Sequence, residues 1–572
     1  MLSRYVPRRV PTGIKTSTRS VWTFTGKHKR SARIEIVSQE LCDTALDRLR
    51  STLPAPNTCD IIDINPGRGL WSQKIHNLLK PRRHVLVEPD FVNYSPYLAP
   101  LLQGEDTVYR HATLLEDAFN PSNKLLSDYP AAIDPLQRNQ TLLLTVNLSG
   151  ALLKTSVYTG SPARRFFADL YLSLWKARTN IHRYGLVRVL AWVPDDEKDA
   201  YIPRTVNTRR KQAVMLEAGY SIKEIAGGSD NTRSSLYRRW QEIEVEDRAR
   251  VAALEQAAGI ETPKTRRDQL PPPDLLSIYP TVEAFQKGNF VSNAQWVPKF
   301  LKLDEYLRKE HPEHYEECTK KRRYEGPGRH LPELREWQTL RTQARTQHKT
   351  HMRAVDLVKD QRLLDLSWKK LMIAAESHHV NSQEERQLRT RAEALGASIL
   401  RLNRTNRLFV TKAVDDYRAL DMSPPVLSWN RREAEPVLVH AEDFVPSHHR
   451  LALLDLTPRQ DFLAKIDTID KMVYFGHVLR DLFLRPSRSV YDALKMLVHE
   501  GVDEFIKAIP GLHDPTKGGW YDLSALRVRS LPTEMVVDIA LAYTKWPFRR
   551  STESILMWGE DPQSVYILGA KE

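Results

Sequence analysis

The feature of the sequence that most constrains its fold is a pair of glycines between an apolar run and a helical pattern. Residues 59–64 read Cys-Asp-Ile-Ile-Asp-Ile, which predicts a buried strand, and apolar positions recur at helical spacing from Trp71 to Leu79. Between them, Gly67 and Gly69 allow the backbone to turn tightly and to approach a ligand without a Cβ in the way. The unpaired N–H groups that open the helix add donors for such a ligand. The sequence therefore predicts a strand–loop–helix unit suited to close contact with a ligand.

A carboxylate further along the chain indicates what kind of ligand this is. A second apolar run, residues 84–88, predicts the next buried strand, and Glu88 at its end follows Gly69 by 19 residues. A carboxylate in that place can accept two hydrogen bonds from the hydroxyl groups of a ribose. The glycine pair alone is a weak signal, but strand, helix and acid in this order predict a site of nucleoside-binding ancestry. Ancestry does not establish that the ligand is still bound.

Further strands and helices extend this unit into an α/β domain. Residues 141–147 and 186–192 are apolar runs, separated by a helical stretch over 162–184. A helix over 37–53, capped by Ser38, precedes the first strand. Continuously apolar strands that alternate with helices indicate a parallel sheet covered on both faces.

Length and composition exclude several classes of protein. A chain of 572 residues is long enough for about two to four domains. The 85 Lys and Arg outnumber the 71 Asp and Glu, and the net charge of +14 favours a polyanionic partner such as nucleic acid. The three cysteines are far apart and form no C-x-x-C pair, which excludes a disulfide framework and a cysteine zinc site. Because no apolar run reaches the roughly 18 residues of a membrane span, we expect no membrane insertion.

The first 34 residues have the composition of an organelle transit peptide. They contain nine Lys and Arg, frequent Ser and Thr, and no acid before Glu35. A basic arm that touches nucleic acid is the alternative interpretation. We expect the segment to direct the protein to the mitochondrial matrix and exclude it from the predicted fold.

The rest of the chain changes character after residue 245. Residues 246–428 are charged and helical in pattern, with ten Lys and Arg against three acids between Lys320 and Arg353. A solvated helical face is the default interpretation of such a run, and contact with nucleic acid is the sharper one. Strand-like segments return at 436–439 and 451–456. Further helices are predicted over 469–484, 489–500 and 502–509.

Two other groups of residues are weaker candidates for a site. His311 and His314, close to Cys318, have the chemistry of metal ligands, but Pro312 and the local charge favour the start of a solvated helix, and we predict no metal site. Three clusters of basic residues either line a groove for a nucleic acid backbone or are scattered surface arginines. These clusters are Arg164-Arg165, Arg209-Arg210-Lys211 and Arg238-Arg239.

The segment Asp63-Ile64-Asn65-Pro66-Gly67-Arg68-Gly69 resembles motif I of class I S-adenosylmethionine methyltransferases. More narrowly, it resembles the rRNA adenine dimethyltransferases and their relatives, the mitochondrial transcription factor B proteins. Similarity extends to Ser38-Gln39-Glu40-Leu41 at the first helix, to the returning strands around Phe444-Val445-Pro446 and 453–458, and to a basic helix at 484–490. Trp546-Pro547-Phe548 resembles the members from filamentous fungi.

The resemblance implies a layout of domains and a cofactor site. It implies a Rossmann-like α/β methyltransferase domain, an all-helical C-terminal domain and a large charged helical insertion that the core family lacks. The implied bounds are a transit peptide at 1–34, the α/β domain at 35–245, the insertion at 246–428, returning strands at 429–460 and the helical domain at 461–572. Asp63, Gly67, Gly69 and Glu88 would hold S-adenosyl-L-methionine in a partly degraded site.

Departures from the family pattern concern the chemistry. The dimethyltransferases carry Asn-Leu/Ile-Pro-Tyr/Phe after the fourth strand, where the Asn and a carbonyl bind the adenine amino group and the ring stacks on the base. This chain has Asn147-Leu148-Ser149-Gly150 there, and His111-Ala112-Thr113-Leu114 in place of the Gly-Asp-Ala-Leu that carries the adenine-binding acid. Stacking contributes roughly 1–3 kcal/mol per base. The resemblance therefore implies that catalysis has been lost and that Asn147 is vestigial.

The function that this resemblance implies is mitochondrial transcription initiation. Such a factor binds the mitochondrial RNA polymerase and promoter DNA and confers promoter selectivity, and we expect it to be a monomer. Asn147, Arg485 and Arg488 are the predicted DNA contacts. The alternatives are an active S-adenosylmethionine-dependent rRNA adenine N6-methyltransferase and a non-catalytic RNA-binding protein of the mitoribosome.

Overall fold

The computed structural model describes most of the chain after the predicted transit peptide. The described residues are 33–110, 134, 136–150, 153–154, 159–174, 180–229, 239–268, 296–320, 330–376 and 382–557. By internal contacts they form two units. The first comprises the described parts of Met1–Arg238, Asp247–Asp268 and Ala419–Glu572, and the second those of Arg239–Glu246 and Gln269–Arg418.

The first unit is built around a twisted sheet of eight strands with one strand reversed. In chain order the strands of the described residues are β1 Glu35–Ile36, β2 Asp60–Ile64, β3 Arg83–Val87, β4 Thr107–Arg110, β5 Arg138–Asn147, β6 Leu153–Lys154, β7 Thr159–Gly160, β8 Leu186–Pro194, β9 Tyr220–Gly227, β10 Val437–Leu438, β11 Phe444–Val445 and β12 Leu451–Pro458. The large sheet has the order β4-β3-β2-β5-β8-β12-β9-β10. Only β12 runs antiparallel to its neighbours, β8 and β9. This is the fold of class I methyltransferases, and the predicted fold class is confirmed.

Helices cover the sheet and continue into a helical C-terminal region. In the first unit they are α1 Gln39–Leu49, α2 Leu70–Leu79, α3 Phe91–Leu102, α4 Pro162–Ser173, α5 Lys211–Gly219, α12 Gln460–Lys465, α13 Ile469–Phe483, α14 Val490–Val498, α15 Val502–Lys507, α16 Thr533–Lys545 and α17 Thr552–Met557. Helix α6, Gln241–Ala257, begins among residues of the second unit. Helices α13 and α16 pack against each other and against α5, which joins the C-terminal helices to the α/β part.

The first helix begins where its sequence predicts but ends earlier than predicted. The Ser38 hydroxyl accepts a hydrogen bond from the Leu41 N–H at 3.2 Å, as an N-cap does. Leu41, Ala45 and Leu49 lie on one buried face of the helix. The predicted helix extended to residue 53, but the observed one ends at Leu49. Similarly, the predicted helix over 162–184 ends at Ser173, and a short 3-10 helix follows at Asn180–Tyr184.

The second unit contains its own core among long helices. They are α7 Trp296–Glu310, α8 Pro312–Lys320, α9 Pro332–Glu376, α10 Ser382–Leu400 and α11 Arg404–Leu420. Within it, the carboxylate of Asp304 accepts hydrogen bonds from Trp337 Nε1 at 2.9 Å and from the Tyr315 hydroxyl at 3.1 Å. Buried aromatic rings thus bring their polar atoms to one buried acid, and this satisfies all three groups.

The described residues include no helix that could span a membrane and no cluster of metal ligands. Where the structure describes the chain, no helix combines the length and apolarity that a bilayer crossing needs. Cys318 is buried in the second unit, where its sulfur accepts a hydrogen bond from Gln338 Nε2 at 3.4 Å. Among the described side chains, no group of three His, Cys, Asp or Glu is arranged to hold a metal ion.

Candidate nucleoside-binding site

The carboxyl ends of β2, β3 and β5 meet at the point where the strand order of the sheet reverses. After β2 the chain continues to β3 and β4 on one side, and then crosses to β5 and β8 on the other. In open α/β sheets, ligands bind in the crevice outside the strand ends at such a switch point. The topology therefore places Asp63, Glu88 and Asn147, which lie at the ends of these three strands, at the same crevice.

The glycine loop has the backbone conformation that its sequence predicts. Gly67 and Gly69 have φ angles of 57° and 74°, in the left-handed region that favours glycine. Asn65 shares this region with a φ of 58°, and its side-chain amide donates to the Asn147 carbonyl at 3.0 Å. This bond ties the loop after β2 to the end of β5. The side chain of Asn65 thus adds a link between the two halves of the crevice, beyond the backbone ladder of β2 and β5.

Glu88 lies beside the loop, but both of its carboxylate oxygens are engaged by Arg33. The Arg33 guanidinium donates to Oε2 at 2.6 Å and to Oε1 at 3.0 Å, and both side chains are buried. The N–H groups of Gly67 and Asp90 also donate to this carboxylate, at 3.1 and 3.0 Å. The acid that was predicted to bind ribose hydroxyls thus carries a bidentate ion pair with the chain itself.

Glu35 fills the space that the absence of a Cβ leaves above Gly67. A Cβ built on Gly67 would lie 2.2 Å from Glu35 Oε2. The same oxygen accepts from the Arg68 N–H at 3.1 Å, and Oε1 accepts from the Tyr94 hydroxyl at 2.7 Å. Burial raises the pKa of Glu35, although Arg33 and these donors oppose the rise. The close approach that the glycine permits is therefore used by a side chain of this protein.

Arg33 is held in the crevice by a ring as well as by Glu88. Its guanidinium lies over the ring of Tyr94, 5.0 Å from the ring centroid, as in a cation–π contact. Burial acts to lower the pKa of Arg33, but the charge and hydrogen bond of Glu88, together with nearby Tyr94 and Glu35, outweigh it, so the net pKa is raised. The arginine stays charged in the interior because its partner neutralises it.

The segment after β5 is bonded to the backbone of Ile34. The Asn147 side-chain amide donates to the Ile34 carbonyl at 3.0 Å, and the Ile34 N–H donates to Ser149 Oγ at 2.9 Å. The Ser149 hydroxyl also bonds Asn147 Oδ1 at 2.7 Å. Serine at the place of the family's proline thus supplies a polar atom that the chain's own N-terminal segment uses. Gly150 carries no ring for stacking.

Asp63 begins a chain of polar groups that leads away from the crevice. Its Oδ2 lies 3.5 Å from His84 Nε2, and His84 Nδ1 lies 3.1 Å from His76 Nδ1. His76 Nε2 lies in turn 3.5 Å from Asp106 Oδ2. Burial lowers the pKa of His76, and neighbouring His84 adds to the effect. One proton shared between the two facing Nδ1 atoms is required for their hydrogen bond.

S-adenosyl-L-methionine does not fit the crevice while these residues are so arranged. The cavity that remains beside Asp63 has a volume of about 20 Å³, room for about one water molecule. Ser72 and Trp192 line this cavity, and Ser72 Oγ and Trp192 Nε1 have no hydrogen-bond partner, so a water there would have polar groups to bind. Residues 111–114, predicted to replace the adenine-binding acid, lie outside the described part of the chain.

No family model and no curated protein matches the sequence. Among solved structures, a precorrin-6y C5,15-methyltransferase from Geobacter metallireducens GS-15 is 17% identical, with a TM-score of 0.20, over 36% of this chain and 83% of that one. A dimethyladenosine transferase from Plasmodium falciparum is 8% identical, with a TM-score of 0.21, over 48% and 89%. The 23S rRNA methyltransferase ErmE is 10% identical, with a TM-score of 0.20, over 40% and 90%. At these scores the likenesses assign no activity to this chain, and the fold assignment depends on the sheet topology.

The structure brings together five of the predicted site residues and leaves two elsewhere. Asp63, Gly67, Gly69, Glu88 and Asn147 all line the crevice or contact its lining. The other two, Arg485 and Arg488, lie among the C-terminal helices. The segment that contains them was predicted to be a helix, and that prediction is wrong: α13 ends at Phe483, and a turn connects it to α14. Pro486 in this turn has no N–H to continue a helix.

The turn nevertheless presents basic side chains at the surface. Arg485 is exposed, and Arg488 contacts the sulfur of Met496. Leu484, beside them, is 73% exposed, unusual for a leucine. The surface combines charge with apolar area, which suits contact with a polyanion or a protein partner.

The three clusters of basic residues divide between surface and interior. Arg164 and Arg210 are exposed. The buried members pair with acids: Arg165 with Asp169 at 2.8 Å, Arg209 with Glu217 at 2.8 Å and Arg239 with Glu244 at 3.7 Å. These buried arginines cannot reach a nucleic acid backbone. Arg238 lies outside the described residues.

Sequence reasoning missed the residues that occupy the crevice. Arg33 and Ile34 were assigned to the transit peptide, yet both are buried and bonded within the fold, whereas residues 1–32 lie outside the described chain. One signal was present, because Glu35 is the first acid of the sequence and marks the end of the basic segment. A second was Ser149, a polar residue in an otherwise apolar strand end.

Proposed function

We propose that this protein is a mitochondrial transcription initiation factor built on an rRNA adenine methyltransferase-like fold, and that it has no methyltransferase activity. It would bind the mitochondrial RNA polymerase and promoter DNA in the matrix. We infer the loss of activity from the end of β5, where the Asn147 side-chain amide donates a hydrogen bond to the chain's own backbone.

The bonds at this strand end occupy the polar atoms of Asn147 that would hold a target base. The Asn147 amide donates to Ile34, and its Oδ1 accepts from Ser149, so both polar atoms of the side chain are used within the chain. Gly150 offers no ring, and loss of stacking alone removes roughly 1–3 kcal/mol from the binding of an extruded base. An adenine amino group would have to compete with the N–H and hydroxyl of Ser149 for Asn147 Oδ1 and would then remain unstacked. Methyl transfer to adenine is therefore not supported.

Binding of nucleic acid does not require that chemistry. The chain carries a net charge of +14, and Arg485, Arg164 and Arg210 are exposed. Each phosphate that such residues neutralise releases a counterion and strengthens binding at low salt. A methyltransferase fold that keeps its basic surface and loses its catalytic segment is suited to act as a DNA-binding factor.

The test is run-off transcription from a linear mitochondrial promoter with the cognate RNA polymerase, with and without the full-length protein. We expect promoter-specific transcript only when the protein is present. A template with a scrambled promoter serves as the control and should give no specific transcript. Transcription that is unchanged by the protein would overturn the proposal.

Two further measurements separate the alternatives. Incorporation of labelled methyl groups into small-subunit rRNA would contradict the loss of activity and indicate an rRNA adenine N6-methyltransferase. Co-sedimentation with the small mitoribosomal subunit, without an effect on transcription, would indicate a non-catalytic RNA-binding protein.

A further inference from the structure

We propose that residues 33–36 are a resident occupant of the nucleoside site, so that an adenosine-containing ligand can bind only when this segment leaves. The proposal does not depend on the role in transcription. It concerns what the crevice binds, and it assigns a competitive function to a segment that composition alone assigns to a leader.

The segment meets each part of the crevice with complementary chemistry. Arg33 donates two hydrogen bonds to Glu88, where the hydroxyls of a ribose would donate theirs. Glu35 accepts from the N–H of Arg68 in the glycine loop, where a helix N-terminus offers donors to a ligand. The backbone of Ile34 bonds Asn147 and Ser149 at the end of β5.

The segment is also anchored on its far side. Residues Glu35–Ile36 form strand β1, which pairs antiparallel with β11, Phe444–Val445. The Val37 N–H continues this pairing by donating to the Asp443 carbonyl at 2.9 Å. The connection is short, however, because β1 has only two residues. Release of the segment would therefore break one short ladder, the ion pair and the hydrogen bonds of Ile34 and Glu35, and would take Ile34 and Ile36 out of the core. None of these hydrogen bonds belongs to the ladders of the eight-stranded sheet.

The crevice keeps its polar groups if Arg33 is removed. Glu88 would still accept the N–H groups of Gly67 and Asp90, so the carboxylate would remain partly satisfied in the interior. The glycine conformations at 67 and 69 do not depend on Arg33. The remaining crevice therefore presents to an incoming ligand a carboxylate that two N–H groups hold in place.

The experiment measures binding of S-adenosylhomocysteine to full-length wild type and to Arg33→Ala by equilibrium dialysis. A segment that occupies the site 90% of the time or more weakens the apparent affinity by about tenfold or more. We therefore expect Arg33→Ala to bind the probe at least about tenfold more tightly than wild type. The matched control is Arg188→Ala, which removes a bidentate pair with Asp455 at the amino end of β8, away from the crevice. It should bind like wild type.

Two results would overturn the proposal. Equal binding by wild type and Arg33→Ala would show that the segment does not compete. Absence of binding to a folded Arg33→Ala, with a melting temperature near that of wild type, would show that the vacated crevice holds no nucleoside.

Hydrogen exchange on the wild type provides a measurement that needs no variant. The Ile34 amide is bonded to Ser149, so we expect it to be protected without ligand and to lose protection in saturating S-adenosylhomocysteine. An unprotected Ile34 amide without ligand, or probe binding that leaves its protection unchanged, would contradict the proposal. Neither outcome bears on the run-off result, so the two proposals can fail separately.

Discussion

Two of the buried arginine–glutamate pairs in the described part of the first unit differ in what they hold. Arg33 pairs with Glu88 at 2.6 Å, and Arg209 pairs with Glu217 at 2.8 Å. The side chains are 4% and 0% exposed in the first pair and 0% and 2% in the second. By distance and burial alone the two pairs would be assigned the same role.

The elements that supply their partners separate them. Arg209 also donates to the carbonyls of Arg529 and Leu531 and to the Thr533 hydroxyl, which lie at the start of α16. It thereby joins α5 to the C-terminal helices from inside. Arg33 belongs to a segment of four residues that bonds the crevice on one side and β11 on the other. A buried ion pair therefore indicates structure or function only through the elements that it connects.

The largest effect is expected at Arg209. Arg209→Met should lower the free energy of unfolding by about 3–5 kcal/mol, because the buried Glu217 charge would lose its cationic partner and two carbonyls would lose a donor. Urea unfolding followed by circular dichroism measures this. Arg210→Met, at the exposed neighbouring position, is the control and should change stability by less than about 0.5 kcal/mol. A loss below about 1 kcal/mol for Arg209→Met would remove the structural half of the comparison.

The structural side of the comparison includes a neutral group, His182. Its Nε2 bonds the Tyr220 hydroxyl at 2.7 Å, and its Nδ1 accepts the Val187 N–H at 3.3 Å. Burial lowers the pKa of His182 to about 4 from an ordinary value of 6.5. The unfolded chain then binds the proton more readily than the folded chain does. The stabilisation that neutral His182 contributes to the fold is therefore complete above about pH 6.5 and is lost as the pH falls toward 4. The loss should reach on the order of 2–3 kcal/mol at the acid end.

The measurement is the free energy of unfolding in urea between pH 7 and pH 4. His182→Gln should flatten the slope against pH, since an amide at this place cannot take up the proton. Replacement of exposed His448 by Gln is the matched control. A slope change of equal size in both variants would contradict an origin in burial at His182.

A smaller loss is expected at Arg33. Arg33→Ala should cost about 1–2 kcal/mol, since Glu88 keeps two N–H donors and water can enter beside the existing cavity. The contrast with Arg209→Met is sharpened by adding S-adenosylhomocysteine, which should raise the unfolding free energy of Arg33→Ala by more than that of Arg209→Met. A cost for Arg33→Ala equal to that of Arg209→Met, with no response to the probe, would make both pairs structural.

The sequence predicted the parts of the site that depend on local pattern. The strand before Gly67, the helix after Gly69 and Glu88 at the end of the next strand each follow from residues within a short window, and the structure has them all. What occupies the site could not be predicted in this way. The Arg33–Glu88 contact joins residues 55 apart, and the segment reaches the crevice through its pairing with β11 and its bonds to the end of β5.

The burial of Arg209 could not be predicted from its basic cluster, for a related reason. Arg209 stands beside Arg210 and Lys211, and such a run is normally a solvated face. Its burial depends on carbonyls more than 300 residues away, at 529 and 531. Similarly, the composition that assigned Arg33 to a leader is an average over 34 residues, whereas its role depends on a single partner. Pro486 is a local signal against a helix at Arg485, because proline has no N–H to continue the helical hydrogen bonds.

The smallest effect on stability, with a distinct effect on binding, is expected at Arg485 and Arg488. Both lie in a turn that contributes no buried ion pair, so replacing both with Gln should change the free energy of unfolding by less than about 0.5 kcal/mol. If each contacts one phosphate of promoter DNA, the slope of log affinity against log salt should become shallower by about 1.8, since each lost contact contributes about 0.9. Filter binding at several salt concentrations measures the slope, with Arg50→Gln, an exposed arginine at the end of α1, as the control.

An unchanged slope in the double variant would place the DNA contacts elsewhere. A shallower slope with unchanged stability would show that Arg485 and Arg488 bind a partner and do not stabilise the fold. They would then differ most from Arg209, which stabilises the fold. Arg33 would be intermediate, because its partner Glu88 lies in the proposed ligand site.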